Sequence, residues 1–220
     1  MSDKKIYLIP GLGADGRMYT HQLKVLKNAT ILEHQKPLKG ETIAGYAKRL
    51  AKKVDTSEPF ILVGTSLGGI IAIELARIVK PEKVIIISSV KHRGEMPSWM
   101  RAMKHLKLHN LLSGENYIRL SNSNAKRVLT NRDHKAAKLI VDMQNRSDPE
   151  FIGWAINEVV NWNGAKEHSE NVIHIHGTHD RLFPQMNIKD AIYIKGGSHV
   201  MGMTQGEDVN KALLEAINRQ

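Results

Sequence analysis

Phe60-Ile61-Leu62-Val63-Gly64-Thr65-Ser66-Leu67-Gly68-Gly69-Ile70-Ile71 changes its structural period within a few residues. Phe60 to Val63 is a continuous apolar run of β-formers, which reads as a buried strand. From Leu67 to Val79 the apolar residues continue around most of a helix until Lys80-Pro81 ends it, and a helix apolar nearly all round lies buried. Gly64-Thr65-Ser66-Leu67-Gly68 therefore sits in a tight strand-to-helix turn, where the flanking positions must lack side chains so that neighbouring backbone can approach. Such a turn lifts the Ser66 hydroxyl above the sheet edge, and the following helix directs its N-terminal dipole and free N–H groups to the same point. A glycine-rich turn that merely contains serine is the plainer reading, and the pentapeptide alone does not decide between them.

Outward from this turn the chain alternates strands and helices. Lys5 to Ile9 is a short apolar run cut off at Pro10-Gly11, and Thr30-Ile31-Leu32 is a second, after a segment with Leu23 and Leu26 at helical spacing. Ile43, Ala47, Leu50 and Val54 repeat at helical intervals across Glu41 to Val54. Val84 to Ile87, Val172 to Ile175 and Ala191 to Ile194 are further apolar strands. Continuous apolar strands separated by helices imply an α/β fold, a mostly parallel sheet of about six strands with helices on both faces. The stretch between Ser89 and Val172 has helical character, with Pro97 and Pro149 placed to start helices, and reads as an insertion over one end of the sheet. The expected division is a core of residues 1–90 and 166–220 with a helical lid of residues 91–165.

Composition narrows the chemistry. With 220 residues, 41% hydrophobic and 25% charged, one globular domain with an insertion is expected. No window approaches the ~20 apolar residues of a spanning helix, and the N-terminal apolar run is too short for a signal peptide, so a cytoplasmic location is expected. The chain has no cysteine, which excludes disulfides, thiolate catalysis and cysteine-ligated metals. Residues 91–147 hold twelve Lys and Arg against four acids, most of the net charge of +10. That basic face either serves solubility or draws an anionic small-molecule substrate toward the site. Nucleic acid is not expected, because the region offers few aromatics for stacking.

A serine hydroxyl needs a base, and the base needs an orienting carboxylate. Of eleven histidines the informative ones follow predicted strands, on the sheet edge where loops carry sites. After Val172 to Ile175 comes His176-Gly177-Thr178-His179-Asp180-Arg181, and after Ala191 to Ile194 comes Gly196-Gly197-Ser198-His199. Asp180 can reach a histidine in the adjacent loop, and His199 leaves a glycine-rich loop able to bring its ring over Ser66. His176 and His179 are expected to bond backbone around the acid. Trp99, Met100, Met103 and Leu106, at helical spacing, are expected to be packing under the insertion.

Pro10-Gly11-Leu12-Gly13, Gly64 to Gly69, His176 to Asp180 and Gly197-Ser198-His199, in this order, resemble the α/β-hydrolase superfamily across both halves of the chain outside the insertion. The resemblance implies Ser66 as nucleophile, His199 as base, Asp180 as acid, and the backbone N–H groups of Leu12 and Leu67 as oxyanion hole. It implies a serine hydrolase cleaving a carboxylic ester, thioester or lactone, with neither metal nor organic cofactor. Two departures stand out. Many members have two further strands before the oxyanion loop, so the sheet should be a shortened one, and Pro10 stands where a histidine is common.

One alternative is a dinucleotide-binding oxidoreductase: Gly11-Leu12-Gly13-Ala14-Asp15-Gly16 matches G-x-G-x-x-G after a strand, with Glu33 near the place of a ribose-binding acid. Another is a non-catalytic ligand-binding protein on the hydrolase fold.

Overall fold

The computed structural model describes residues 4–106, 113–164 and 172–219. Six strands, β1 (Lys5–Ile9), β2 (Ala29–Ile31), β3 (Phe60–Thr65), β4 (Lys83–Ile87), β5 (Val172–Gly177) and β6 (Ile192–Ile194), form one sheet in the order β2-β1-β3-β4-β5-β6. Every pairing is parallel. The chain runs outward from β1 to β2 and then crosses back to β3 on the other side of β1. The topological switch point thus lies at the C-terminal ends of β1 and β3, where a site is expected in an open α/β sheet.

Alternate residues of each strand face opposite layers, as a period of two requires. Tyr7, Ile9, Phe60, Leu62, Val84 and Ile86 share one core with α1 (Ile43–Leu50) and the wholly apolar part of α2 (Leu67–Val79). Ile6, Leu8, Ile61, Val63, Ile85 and Ile87 share the other with Val209, Leu213 and Ile217 of the C-terminal helix (Gly206–Asn218). The sheet is covered on both faces, which is why its strands read as unbroken apolar runs.

The segment from Gly16 to Lys24 departs from the expected helix. It forms two short 3-10 turns, Gly16–Tyr19 and Gln22–Lys24, with Leu23 exposed and Leu26 buried. Only one of the two leucines enters the core, so no apolar stripe exists to hold an α-helix there.

Between β4 and β5 lie α3 (Ser98–Leu106), α4 (Gly114–Val128), α5 (His134–Arg146) and α6 (Pro149–Asn161). Ser113, Asp133 and Asp148 cap the last three by accepting backbone N–H groups, and Pro149 occupies the first turn of α6. These helices share the cores of the sheet: Phe151, Ile152 and Ile156 join the α1 and α2 side, Ala125, Ile140 and Met143 the other. Buried polar contacts add to this. Trp162 Nε1 donates to Glu74 Oε1 on α2 at 2.8 Å, and Ile43 N donates to Glu158 Oε2 at 2.9 Å. The proposed boundary between lid and core at residue 165 falls outside the described residues.

Glycine is required where β3 turns into α2. A Cβ at Gly64 would overlap the Gly68 carbonyl, and one at Gly68 would overlap the Ile9 carbonyl of β1. At Gly45, within α1, a Cβ would meet only Glu41 Cγ at 3.4 Å and Thr42 Oγ1 at 3.5 Å. Gly64→Ala and Gly68→Ala should each destabilise the protein by about 3 kcal/mol or more, because backbone must move. Gly45→Ala should stabilise it by about 0.5–1 kcal/mol. Urea unfolding checks both signs, and equal effects at residues 45 and 64 would contradict the close approach.

Candidate active site

Ser66 stands between β3 and α2 with φ 54° and ψ −119°, a conformation that costs an L-residue about 1–3 kcal/mol. Three contacts hold it there. Ser66 N donates to Ile87 O of β4 at 2.9 Å, Gly69 N donates to Ser66 O at 2.9 Å, and Ser89 Oγ donates to the same carbonyl at 2.7 Å. The side chain is left free to project from the sheet edge, and Leu67 opens α2 with an N–H that has no intrahelical acceptor.

The loops after β5 and β6 are joined to each other. Thr178 N donates to Ile194 O at 3.0 Å, His179 N to Gly197 O at 2.9 Å, and Gly196 N to Thr178 Oγ1 at 2.8 Å. This fixes Asp180 relative to His199. Asp180 Oδ1 accepts from the backbone N–H groups of Leu182 and Phe183, each at 2.9 Å, while Oδ2 accepts from His199 Nδ1 at 2.8 Å. With the proton held on Nδ1, His199 Nε2 is the acceptor that faces Ser66 Oγ at 3.0 Å. Asp180 and His199 are both buried, and the Phe183 ring stands edge-on to the imidazole with centroids 5.5 Å apart. Ser66, His199 and Asp180 thus form one hydrogen-bonded chain.

His176 Nε2 donates to Phe183 O at 2.9 Å and braces the turn that carries Asp180, whereas the His179 ring meets its neighbour Thr178 Oγ1 at 3.2 Å. Behind His176, its ring centroid 5.0 Å away, lies His174.

Above Ser66 opens a cavity of about 330 Å³. Gly11, Leu12, Ser66, Leu67 and His199 form its floor, and the helices between β4 and β5 form its walls. Trp99, Met100 and Met103 line it. Met100 and Met103 pack on the core as expected, and together with the exposed Trp99 they also face the hollow left between α3 and the sheet edge. The Leu106 side chain lies outside the described residues. Among the described residues no Lys, Arg, Asp or Glu lines the cavity; its polar groups include Tyr117, Gln144, Ser66 and His199. Arg119, Lys126, Arg127, Arg132, Lys135, Lys138 and Arg146 are exposed on the outer faces of α4, α5 and the turn between them.

The dinucleotide alternative fails on local geometry. The glycine loop after β1 leads into a single 3-10 turn rather than a long helix whose N-terminus could hold a pyrophosphate. Glu33 Oε1 accepts from Gly16 N at 2.9 Å, so the carboxylate closes the loop itself. Gly11 instead abuts the elbow: a Cβ there would lie 3.4 Å from Ser66 Cβ.

His34 was not among the expected site residues. It follows β2 and places Nε2 3.1 Å from Gly11 O in the loop beside Ser66. The rule that singled out His199, a histidine just beyond a strand, would also have found it.

No protein-family model and no curated protein matches the chain. Solved structures do. A thermophilic esterase from Thermogutta terrifontis superposes with a TM-score of 0.76 at 17% identity, covering 99% of this chain and 90% of that one. A hydrolase from Oleispira antarctica gives 0.75 at 16% identity, covering 100% and 93%. The enol-lactonase from Burkholderia xenovorans gives 0.71 at 18% identity, covering 99% and 93%. The chain has the α/β-hydrolase fold. Among the described residues no helix is long and apolar enough to cross a membrane, and no cluster of His, Asp and Glu is placed to hold a metal ion.

Burial keeps three histidines neutral. Loss of hydration pushes the pKa of His34 down to about 4, that of His174 well below the usual 6.5, and lowers that of His176 despite the nearby Asp180 carboxylate. As pH falls through 6.5 the unfolded chain therefore takes up protons that the folded protein does not. Stability should be fully present above that pH and fall below it, with a slope approaching about 1.4 kcal/mol per pH unit for each ring. Urea unfolding between pH 8 and pH 5 checks this, and His174→Leu should remove one ring's share. A stability constant from pH 7 to pH 5 would contradict the burial of these rings as neutral bases.

Proposed function

We propose that this protein is a serine hydrolase that cleaves a neutral carboxylic ester, or a thioester or lactone, through an acyl-enzyme on Ser66. The observation that carries the reading is the chain Ser66 Oγ, His199 Nε2 at 3.0 Å, His199 Nδ1 and Asp180 Oδ2 at 2.8 Å, at the floor of an apolar cavity. Ser66 Oγ attacks the substrate carbonyl while His199 Nε2 takes its proton, and the carbonyl π electrons move onto oxygen. Collapse of the tetrahedral intermediate expels the alcohol oxygen, which receives that proton from His199. Water, deprotonated by the same Nε2, then attacks the acyl carbonyl, and Ser66 leaves with its proton restored. Asp180 holds the proton on Nδ1 and stabilises the imidazolium. The N–H groups of Leu12 and Leu67 take the role of oxyanion donors.

The cavity walls favour a hydrocarbon acyl or alcohol group, because burying apolar surface gains about 25 cal/mol per Å² whereas a charge would lose its hydration unpaired. The basic side chains of α4 and α5 lie outside the walls, so an anionic substrate would be attracted on approach but not bound by them at the reacting carbon. An esterase and an enol-lactonase among the similar folds support acyl chemistry.

A fluorophosphonate probe should label Ser66, and both Ser66→Ala and His199→Ala should resist it. Toward chromogenic esters of graded acyl length, each variant should lose about 10⁴-fold or more in kcat. Peptide mapping of the label to another residue would sink the assignment.

A further inference from the structure

The oxyanion loop is held by a residue far from it in sequence. Gly11 O accepts two hydrogen bonds, from Ala14 N at 3.2 Å within the turn and from His34 Nε2 at 3.1 Å from beyond β2. Gly11 O and Leu12 N belong to the same peptide unit. A peptide unit is planar, and in its trans form C=O and N–H point in opposite directions. A donor fixed on the Gly11 oxygen therefore fixes the direction of the Leu12 N–H, away from His34. It also polarises that N–H, since hydrogen bonds along one peptide unit reinforce each other. Leu12 and Gly11 border the cavity beside Ser66, which is the side the N–H must face to meet an oxyanion.

We infer that His34 is a positioning residue of the oxyanion hole: by donating Nε2–H to Gly11 O it orients the Leu12 N–H toward the carbonyl oxygen attacked by Ser66. The inference rests on the acyl-enzyme reading above.

Other features of His34 fit this task. A carbonyl can only accept, so Nε2 must carry the proton, and Nδ1 is shut off from solvent with no hydrogen-bond partner among the described residues. The ring stays neutral at ordinary pH, because burial holds its pKa near 4, and the donor is present throughout the working range. One face of the ring stacks on Phe151 of α6, with centroids 4.5 Å apart and planes inclined by 29°. Ile152, the next residue, reaches the Gly13 side of the same loop, where a Cβ would lie 3.6 Å from Ile152 Cδ1. The lid helix α6 thus presses the histidine against the loop, and the histidine sets the peptide. Pro10, next to Gly11, has no side-chain donor to brace the loop, and His34 supplies one from another strand end.

Two roles of the ring, packing and donation, are separable by substitution. His34→Phe keeps a ring to stack on Phe151 and removes the donor, whereas His34→Gln removes the ring and keeps an N–H near the place of Nε2. With a p-nitrophenyl ester, His34→Phe should lower kcat by about tenfold to a hundredfold, part of the 10²–10³ that an oxyanion donor is worth, with little change in KM. His34→Gln should recover most of that loss. The inhibition constant of a trifluoromethyl ketone, which forms a tetrahedral oxyanion on the nucleophile, should rise in His34→Phe by the factor by which kcat falls. His34→Leu carries the same expectation should the phenylalanine variant fold poorly. Wild-type kcat in a folded donor-less variant, or a glutamine variant as impaired as the phenylalanine one, overturns the positioning role. If the wild-type protein neither turns over the ester nor takes a fluorophosphonate on Ser66, the acyl-enzyme reading falls and this inference with it.

Discussion

Everything at the proposed site depends on one backbone constraint, the left-handed conformation of Ser66 between Gly64 and Gly68. A φ of 54° is unfavourable for serine, and it persists because Ile87 of β4 holds its N–H while Gly69 of α2 and Ser89 hold its carbonyl. The two glycines let the first turn of α2 pack directly on β3 and on the end of β1. That close packing brings the loop after β1 to within contact of Ser66. The β2-β1-β3 order then puts both loops at the same switch point, so the sheet order and the serine geometry serve one end.

The remaining groups reach this point by separate routes. Asp180 and His199 come from adjacent strand ends whose loops are bonded to each other before either touches Ser66. The cavity above them is closed by helices that belong to the same two hydrophobic cores as the sheet. Its walls are mostly apolar, and the basic side chains lie apart from them on the outer faces of α4 and α5. His34 joins these parts, with one face on α6 and one nitrogen on the loop after β1.

Much of this was legible in the sequence because it is local. Buried parallel strands read as unbroken apolar runs, and the strand-glycine-serine-helix turn has a steric reason for each glycine. Asp180 and His199 were legible from their places just beyond strands. What was not legible depends on tertiary placement. Leu23 and Leu26 have helical spacing, yet one faces solvent and the segment winds as 3-10 turns. Trp99, Met100 and Met103 have the spacing of packing residues, which Met100 and Met103 are, and only the hollow beneath α3 makes the three a cavity wall as well. The match to G-x-G-x-x-G was misleading because a glycine that would admit a pyrophosphate also admits close approach to the turn at Ser66, as Gly11 does. His34 stands just beyond a strand as His199 does, but its partner is twenty-three residues earlier in the chain, and nothing local points to Gly11.

The central claim is that Ser66 becomes acylated during turnover, and rapid quenching with intact-mass and peptide mass spectrometry tests it directly. Mixed with p-nitrophenyl butyrate and quenched in acid within the first turnover, the protein should gain one butyryl mass, located on Ser66, as p-nitrophenolate is released. Turnover with no adduct at any quench time, together with retained activity in Ser66→Ala, would contradict the account.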